Sequence, residues 1–272
     1  MVANVTARRV ALNLVRVSPR RAIEVRHLIE IGKLFGLAPN AMRVALTRLS
    51  AQGLLESDER GSYRLGPDAR ELSEYVEQWR RGEARMRPWK GAMLAVVLPA
   101  KPVRRERRAS LSALERVGFV EGVGGLWVRP DNLREPIDGT RQRIASLGLE
   151  DGAELLVADR LSERLQAQLA DSWPVARLQR DYTKSLKALR RSLERLPTMP
   201  QEQALVQSFL LGGEAIRVLA SDPLLPPEIM PCAKRAELTE LMLRYDQAGH
   251  AVWRKLSGRS ALRLVKGRSH AN

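Results

Sequence analysis

The spacing of apolar and polar positions over residues 1–66 predicts helices followed by a short β-hairpin. One helix ends near Phe35, Gly36 supplies a tight turn, and Pro39 suits the first turn of the next helix. At about 100° per residue, one side of that next helix collects Ala41, Met42, Ala45, Leu46 and Leu49. The other side collects Asn40, Arg43, Val44, Thr47 and Arg48. The helix therefore combines an apolar face that suits burial with a polar, basic face.

A hairpin comes directly after this helix. Residues 53–56 and 62–65 are predicted to be its strands, with residues 58–61 as the turn. A helix with a short polar and basic face suits the DNA major groove, and a hairpin after it is the winged variant of the helix-turn-helix. The sequence thus predicts DNA contacts from Asn40, Arg43, Val44, Thr47 and Arg48 on the helix and from Arg60, Ser62 and Arg64 on the wing. The alternative is an amphipathic helix whose charged face is only solvated.

The period of the pattern changes at residue 92. The apolar run 92–98 has the length and the valine content of a buried strand. Beyond it the pattern predicts a helix at 101–117, a hairpin at 119–128, a helix at 140–147 and a strand at 154–158. The order β-α-β-β-α-β is that of a ferredoxin-like split unit.

The last third of the chain is predicted to be helical, in segments 175–196, 202–220 and 233–256. The first segment carries a discontinuous apolar stripe formed by Ala176, Leu178, Leu186, Leu189, Leu193 and Leu196. This stripe suits a subunit interface and intramolecular packing equally well. The end of the chain is basic and contains glycine, so we expect it to be flexible.

Together these patterns predict an α+β protein, and its 272 residues are enough for two or three domains. The predicted parts are a winged helix-turn-helix domain (1–70), a linker helix (71–90), a ferredoxin-like middle domain (91–172), a helical C-terminal domain (173–256) and a basic flexible tail (257–272).

The charge of the chain points to a polyanionic partner. The sequence has 46 Lys and Arg residues against 31 Asp and Glu residues, which gives a formal net charge of +15. Such a surplus favours nucleic acid through counterion release, with an anionic membrane surface as the second candidate. No run of about 18 apolar residues occurs. We therefore expect a cytoplasmic, nucleoid-associated bacterial protein without membrane association.

Metal and enzyme chemistry has little support in the sequence. Cys232 is the only cysteine, and His27, His250 and His270 lack the spacing of metal ligands. A ferredoxin-like nuclease needs a carboxylate at the end of its first strand, where residues 98–100 contain no acid. We expect no metal, no cofactor and no enzymatic activity. The alternative left open is a nucleic-acid-binding accessory protein, or an RNA-binding or nuclease-like protein that uses the ferredoxin-like domain.

Three stretches of the chain carry a more specific signal. The first is Asn-Ala-Met-Arg-Val-Ala-Leu-Thr-Arg-Leu at 40–49 with Gly-Leu-Leu at 53–55 and Ser-Tyr-Arg-Leu at 62–65. The second joins Trp89-Lys90 and Val-Val-Leu-Pro at 96–99 to Leu-Trp-Val-Arg-Pro at 126–130. The third is Asp-Pro-Leu-Leu-Pro-Pro-Glu-Ile-Met-Pro at 222–231. In this order they resemble the PaaX family of bacterial repressors of phenylacetate degradation.

The resemblance implies a homodimeric repressor of a catabolic operon that binds double-stranded operator DNA. It also implies an aryl-acyl-CoA effector that releases the repressor. Among the residues of this chain, the candidates for the CoA phosphates are Arg104, Arg105, Arg107 and Arg108. The chain departs from the family pattern at 232–235, which reads Cys-Ala-Lys-Arg in place of a Trp-Pro-Gly-type segment.

Overall fold

The computed structural model describes residues 5–16, 22–58, 61–100 and 104–267. The first part of the chain is helical and closes with a small antiparallel sheet. Its elements are α1 (Ala7–Arg16), β1 (Ile23–Glu24), α2 (Val25–Leu34), α3 (Pro39–Ala51), β2 (Leu55–Ser57), β3 (Ser62–Leu65) and α4 (Pro67–Glu77). The sheet has the order β1-β3-β2, and β2 and β3 form the predicted hairpin. The extra strand β1 was not predicted because it has only two residues.

A second sheet and a helical part follow. A short 3₁₀ helix (Gln78–Arg85) precedes the sheet. The further elements are β4 (Met93–Val97), α5 (Arg104–Arg116), β5 (Val120–Glu121), β6 (Trp127–Pro130), α6 (Ile137–Ser146), β7 (Glu154–Ala158), α7 (Glu163–Ala170), α8 (Val175–Arg195), α9 (Gln201–Ala220) and α10 (Ala233–Gly267). The protein is thus α+β, with a middle antiparallel sheet and a helical C-terminal part. Helix α10 reaches Gly267, so the expected flexible tail from residue 257 is helical as far as that residue.

The residues group into two compact units that do not follow the chain order. Unit 1 contains residues within 1–78, 191–213 and 244–272, and unit 2 contains 79–190 and 214–243. Helices α8, α9 and α10 each contribute residues to both units. The helical segment 173–256, which we expected to be a separate domain, is therefore divided between them.

The sheet of unit 2 has the predicted order of elements, β-α-β-β-α-β. Its strands are arranged β5-β6-β4-β7, and each neighbouring pair is antiparallel. One face of the sheet packs on α5 and α6 through a core of Leu94, Val96, Leu98, Ala113, Leu114, Val117, Phe119, Trp127 and Ile144. Because Trp127 and Phe119 belong to this core, neither is an exposed aromatic on the sheet.

The core of unit 1 lies between α1, α2 and α3. It includes Val10, Leu14, Leu28, Met42, Leu46 and Leu49, and all of them are buried. The predicted apolar face of α3 is confirmed except at Ala41, which is exposed in the first turn. Two partly buried aromatic residues from distant segments, Phe209 of α9 and Trp253 of α10, also pack against this core. The ring of Phe209 lies edge-on to Phe35, with 5.0 Å between the ring centroids.

An irregular segment after α9 is held by buried side chains of unit 2. Leu224 has a φ of 54°, in the left-handed region. The segment lies outside helices and strands, so its backbone carbonyls need other hydrogen-bond donors. The Pro223 carbonyl accepts a hydrogen bond from Arg129 at 3.2 Å, and the Leu224 carbonyl accepts one from Asn132 at 2.7 Å. The Leu225 carbonyl accepts two from Arg235, at 3.1 Å each. The third of the stretches that resemble the PaaX family, residues 222–231, is therefore held in place by side chains of unit 2.

Arg235 is the centre of a buried charge network. Its guanidinium donates to both Glu83 oxygens at 2.7 and 3.0 Å and lies 3.4 Å from the buried carboxylate of Asp222. Asp222 also accepts hydrogen bonds from the Tyr182 hydroxyl and from the Leu224 N–H. Burial opposes the charged form of Arg235, but the hydrogen bonds and charges of the two acids raise its pKa. Burial and the negative charge of Asp222 raise the pKa of Tyr182, so this phenol stays neutral.

Removing the cation from this network should destabilise unit 2 strongly. In Arg235→Leu, Asp222 loses a buried counter-ion and the Leu225 carbonyl loses both donors. We expect a loss of about 3–5 kcal/mol in the free energy of unfolding, measured by urea denaturation followed by circular dichroism. The control is Arg190→Ala, which removes the exposed pair with Glu237 and should cost less than about 1 kcal/mol. Equal losses in the two variants would show that the network does not hold the unit together.

Candidate nucleic-acid interface

The exposed face of α3 brings together all the helix residues predicted to contact DNA. Asn40, Arg43, Val44, Thr47 and Arg48 are each exposed. Within the described ranges, neither Arg43 nor Arg48 forms an ion pair, so both guanidinium groups are free to bind a ligand. The Thr47 hydroxyl donates to the Arg43 carbonyl at 3.1 Å and keeps its lone pairs for accepting. The face thus offers two cations, an amide, a hydroxyl and one exposed valine.

The turn before α3 sets the direction in which this face points. Gly36 has a φ of 73°, which L-residues with a Cβ adopt at a cost. Its N–H donates to the Lys33 carbonyl at 2.9 Å, and the Leu37 N–H reaches back to the Gly32 carbonyl at 3.1 Å. These two bonds end α2 and allow α3 to leave at an angle, as the sequence predicted.

Close packing between α2 and α3 fixes the distance between the two helices. A Cβ on Gly32 would lie 2.7 Å from the Cγ atom of Met42, which is closer than real Cβ contacts. Met42 is fully buried, so its side chain occupies the space that Gly32 leaves open. A glycine in α2 and a methionine in α3 therefore hold the two helices of the motif together.

The wing differs from the prediction at one residue. Ser62 is only 9% exposed, because it lies in the first position of β3 and its N–H donates to the Asp58 carboxylate at 2.8 Å. Arg64 is exposed but is paired with Glu56 at 2.8 Å, and the same carboxylate also binds Arg70 at 3.3 Å. Arg60 lies outside the described residues. Of the three predicted wing residues, Arg64 alone is described as reaching the surface.

One basic residue near this surface was not among the predicted contacts. Arg8 of α1 is exposed and donates to the Gln52 side chain at 2.8 Å, just after the last residue of α3. The two residues are 44 positions apart in the chain, and no local sequence pattern links them. The packing of α1 on α3 is what places Arg8 beside the helix.

The basic cluster at the start of α5 is split by the structure. Arg105 and Arg108 are exposed, and Arg104 is the first residue of the helix. The Arg107 side chain is instead partly buried, with its guanidinium 3.6 Å from the buried carboxylate of Glu150. The four arginines therefore do not all face one surface as a phosphate site would require, and Arg107 has a structural partner.

In the part of the chain that the structure describes, no group of three or more His, Cys, Asp or Glu residues is arranged to hold a metal ion. No described helix has the length and apolar character needed to cross a membrane.

Comparison with protein families identifies the N-terminal segment. Residues 12–69 match the family model described as PaaX-like protein. The N-terminal segment of the chain is PaaX-like. This PaaX-like segment contains α2, α3 and the hairpin, and thus every residue of the candidate interface except Arg8. The resemblance drawn from the sequence is confirmed there.

The fold as a whole also occurs in a solved structure. The chain is similar to the uncharacterized protein Rv0674 from Mycobacterium tuberculosis, with a TM-score of 0.62 and 22% sequence identity. The match covers 93% of this chain and 98% of the other, so the two proteins share their architecture over nearly their full lengths. Comparison with curated proteins gave no match.

The position of Arg107 predicts a structural role that can be measured. In Arg107→Ala the buried Glu150 carboxylate loses its cation, and we expect the free energy of unfolding to fall by about 1–3 kcal/mol. The double variant Arg107→Ala with Glu150→Gln should recover most of this loss, because the buried charge is then gone. Both are measured by thermal and urea unfolding. An unchanged stability of Arg107→Ala would contradict the assignment and return Arg107 to the candidate phosphate ligands.

Proposed function

We propose that this protein is a sequence-specific, DNA-binding transcription regulator of the PaaX type that represses a catabolic operon. The observation that carries the proposal is that the PaaX-like segment contains α3, whose polar and basic face is exposed and forms no ion pair with any residue that the structure describes. In this proposal α2, α3 and the hairpin form a winged helix-turn-helix. The antiparallel sheet of unit 2 is assigned to the ferredoxin-like class on its order of elements.

The chemistry of α3 indicates how it would read DNA. An arginine that lies in the major groove donates to guanine O6 and N7 with both arms of its guanidinium, so Arg43 or Arg48 is the candidate reader of guanine. Asn40 suits adenine, or a phosphate beside the groove, and the exposed Val44 suits a thymine methyl group. The Thr47 hydroxyl, which donates to the Arg43 carbonyl, can accept a hydrogen bond from a base amino group. The face is short, as expected for contact with a few base pairs.

The wing and the overall charge would supply affinity without sequence information. Arg64 on β3, and Arg60 from the segment that the sequence predicts to be a turn, are proposed to contact phosphates on the flank of the site. Arg64 is paired with Glu56, so it must exchange a carboxylate for a phosphate when it binds. The chain has a net charge of +15, and its DNA affinity should therefore fall steeply with salt.

Replacing Arg43 should remove sequence preference and leave the fold intact, because its side chain is exposed. We expect Arg43→Ala to weaken binding to DNA from upstream of the protein's own gene by about 1–3 kcal/mol, or roughly tenfold and more. Its binding to unrelated DNA should change much less. Mobility shift with unrelated competitor DNA measures both quantities.

The matched control for this variant is Arg217→Ala. Arg217 is exposed on α9, so its loss changes the net charge by the same amount without changing α3. We expect this control to bind the upstream DNA within about threefold of wild type. If Arg43→Ala binds that DNA as tightly as the control, the assignment of α3 as the reading helix is wrong.

A repressor of a two-fold symmetric operator must itself be a symmetric dimer, and β7 is the candidate surface. Among the described strands it lies at the edge of its sheet. Leu156 and Val157 are 41% and 49% exposed and, as neighbours in a strand, point to opposite faces. A strand of another chain added at the edge of the sheet would shield both Leu156 and Val157. A partner packed on one face of the sheet would shield only one of them. The apolar positions of α8, in contrast, are mostly buried within the chain.

Charge complementarity favours a second copy of this chain as the added strand. An antiparallel pairing of two β7 strands about a two-fold axis at Val157, continued two residues beyond the strand end at Ala158, places Glu154 opposite Arg160 of the partner subunit, and the symmetry repeats the pair. In the described part of the chain the Glu154 carboxylate forms a surface ion pair with Arg141 at 3.1 Å. Opposite charges directly across a strand pair are stabilising and like charges are destabilising.

Charge exchange in β7 tests this dimer. Glu154→Arg puts like charges opposite each other twice, and we expect the dimer dissociation constant from light scattering to rise by about tenfold or more. The double variant Glu154→Arg with Arg160→Glu should restore the wild-type value. A monomeric wild-type protein, or a Glu154→Arg variant that dimerises as wild type does, would rule out this surface.

The acyl-CoA effector and the RNA-binding alternative have unequal support. The effector rests on the family resemblance, and Arg105 and Arg108 remain exposed candidates for CoA phosphates while Arg107 is paired. Sequence-specific RNA binding would need exposed aromatic side chains on which bases stack. Trp127 and Phe119 are buried, so the described sheet gives that alternative no support. The regulator is therefore the function that we put forward.

A further inference from the structure

A cavity of about 390 Å³ lies within unit 2. Its walls come from the segment before β4, the strand itself, helix α7 with its flanks, and the irregular segment after α9. The lining residues are Trp89, Gly91, Met93, Leu161, Gln166, Leu169, Trp173, Glu228 and Ile229. The volume falls in the range of small-molecule sites, roughly 300–1,000 Å³, and a predominantly apolar lining with few polar groups is typical of them.

Two tryptophans form the aromatic part of the lining, and both indole N–H groups are already used. Trp89 donates to the Ala92 carbonyl at 2.6 Å, and Trp173 donates to the Gly118 carbonyl at 3.1 Å. These bonds fix the orientation of both rings. A bound molecule therefore meets the carbon surfaces of the two indoles and finds no hydrogen-bond donor on them.

The polar side chains of the lining are a carboxylate and an amide. Gln166 uses one of its two amide N–H groups to donate to the Leu161 carbonyl at 3.0 Å, which leaves its oxygen as an acceptor and one N–H as a donor. Glu228 is exposed, and in the described part of the chain it has no ion pair. No lysine, arginine or histidine is among the lining residues. The cavity thus offers acceptors, one amide donor and one negative charge.

We propose that this cavity binds a small aromatic amine, in its ammonium form, with the ring against Trp89 and Trp173 and the cation near Glu228. An aromatic ring buries its apolar surface on the indoles and on Met93 and Leu169. An ammonium group supplies the positive charge that the lining residues lack, and it is attracted by both the carboxylate and the indole faces.

Anionic ligands are a poor match for the same lining. A carboxylate or a phosphate would approach Glu228 with like charge and would find no basic side chain to offset the repulsion. This site is therefore distinct from the cluster at Arg105 and Arg108, and its ligand class is opposite in charge. Ligand binding here does not depend on the proposed DNA binding, although any control of an operator by this ligand would.

The test uses the full chain and three probes of nearly equal size: phenethylamine, phenethyl alcohol and phenylacetate. Calorimetry on the wild-type protein should show binding of the amine, about threefold to tenfold tighter than the alcohol and tighter still than the acid. In Glu228→Gln the amine should weaken by about twofold to fivefold, as expected for an exposed ion pair, whereas the alcohol should change by less than about 1.5-fold. The matched control Glu115→Gln, an exposed acid of α5, should leave all three unchanged.

A second variant keeps the result interpretable if the amine affinity is modest. Trp89→Leu removes one aromatic wall and should weaken the amine and the alcohol together, and circular dichroism checks that the variant is folded. Amine binding that is absent in wild type, equal to acid binding, or unchanged in Glu228→Gln overturns the proposal. Because DNA binding is measured separately by mobility shift, loss of either activity alone identifies which of the two proposals has failed.

Discussion

The burial of the Arg235 guanidinium is the constraint on which unit 2 depends. A cation taken out of water is tolerated only where acids and carbonyls surround it, and here Glu83, Asp222 and the Leu225 carbonyl do so. The same contacts satisfy the backbone of the irregular segment 222–230, together with Arg129 and Asn132. This segment is also one wall of the cavity, through Glu228 and Ile229. A buried charge network thus gives a proline-rich stretch without regular structure a single conformation.

Unit 1 is stabilised differently, by close packing of its helices at small residues. Gly32 lets Met42 approach α2, and Gly36 ends that helix in a left-handed conformation. The side chains on the polar face of α3 are exposed and do not pack in the core, so they remain available to contact a ligand. This separation of roles within one helix is what a DNA-reading element needs, because base contacts must not be engaged in holding the fold.

Most elements could be predicted from the sequence because their apolar periods are clear, and β7 was placed at its exact limits. The division into units could not be predicted, since it depends on contacts such as Phe35 with Phe209 between distant segments. Helix α7 was missed because it is short. The polar positions of the exposed face of α3 were predicted from helical periodicity, whereas Ala41 was assigned to the buried face and is exposed. The burial of Ser62 and the pairing of Arg107 with Glu150 were not predicted from the sequence, because tertiary packing determines both.

Selection of binding sites from random double-stranded DNA tests the central claim most directly. If a symmetric dimer reads DNA with α3, the wild-type protein should enrich an inverted repeat, with half-sites about one helical turn apart or a multiple of it. Arg43→Ala should lose the preference at a defined base of each half-site. If the wild-type protein enriches no sequence and binds all DNA with the same salt-sensitive affinity, the exposed face of α3 does not read DNA and the proposed function is wrong.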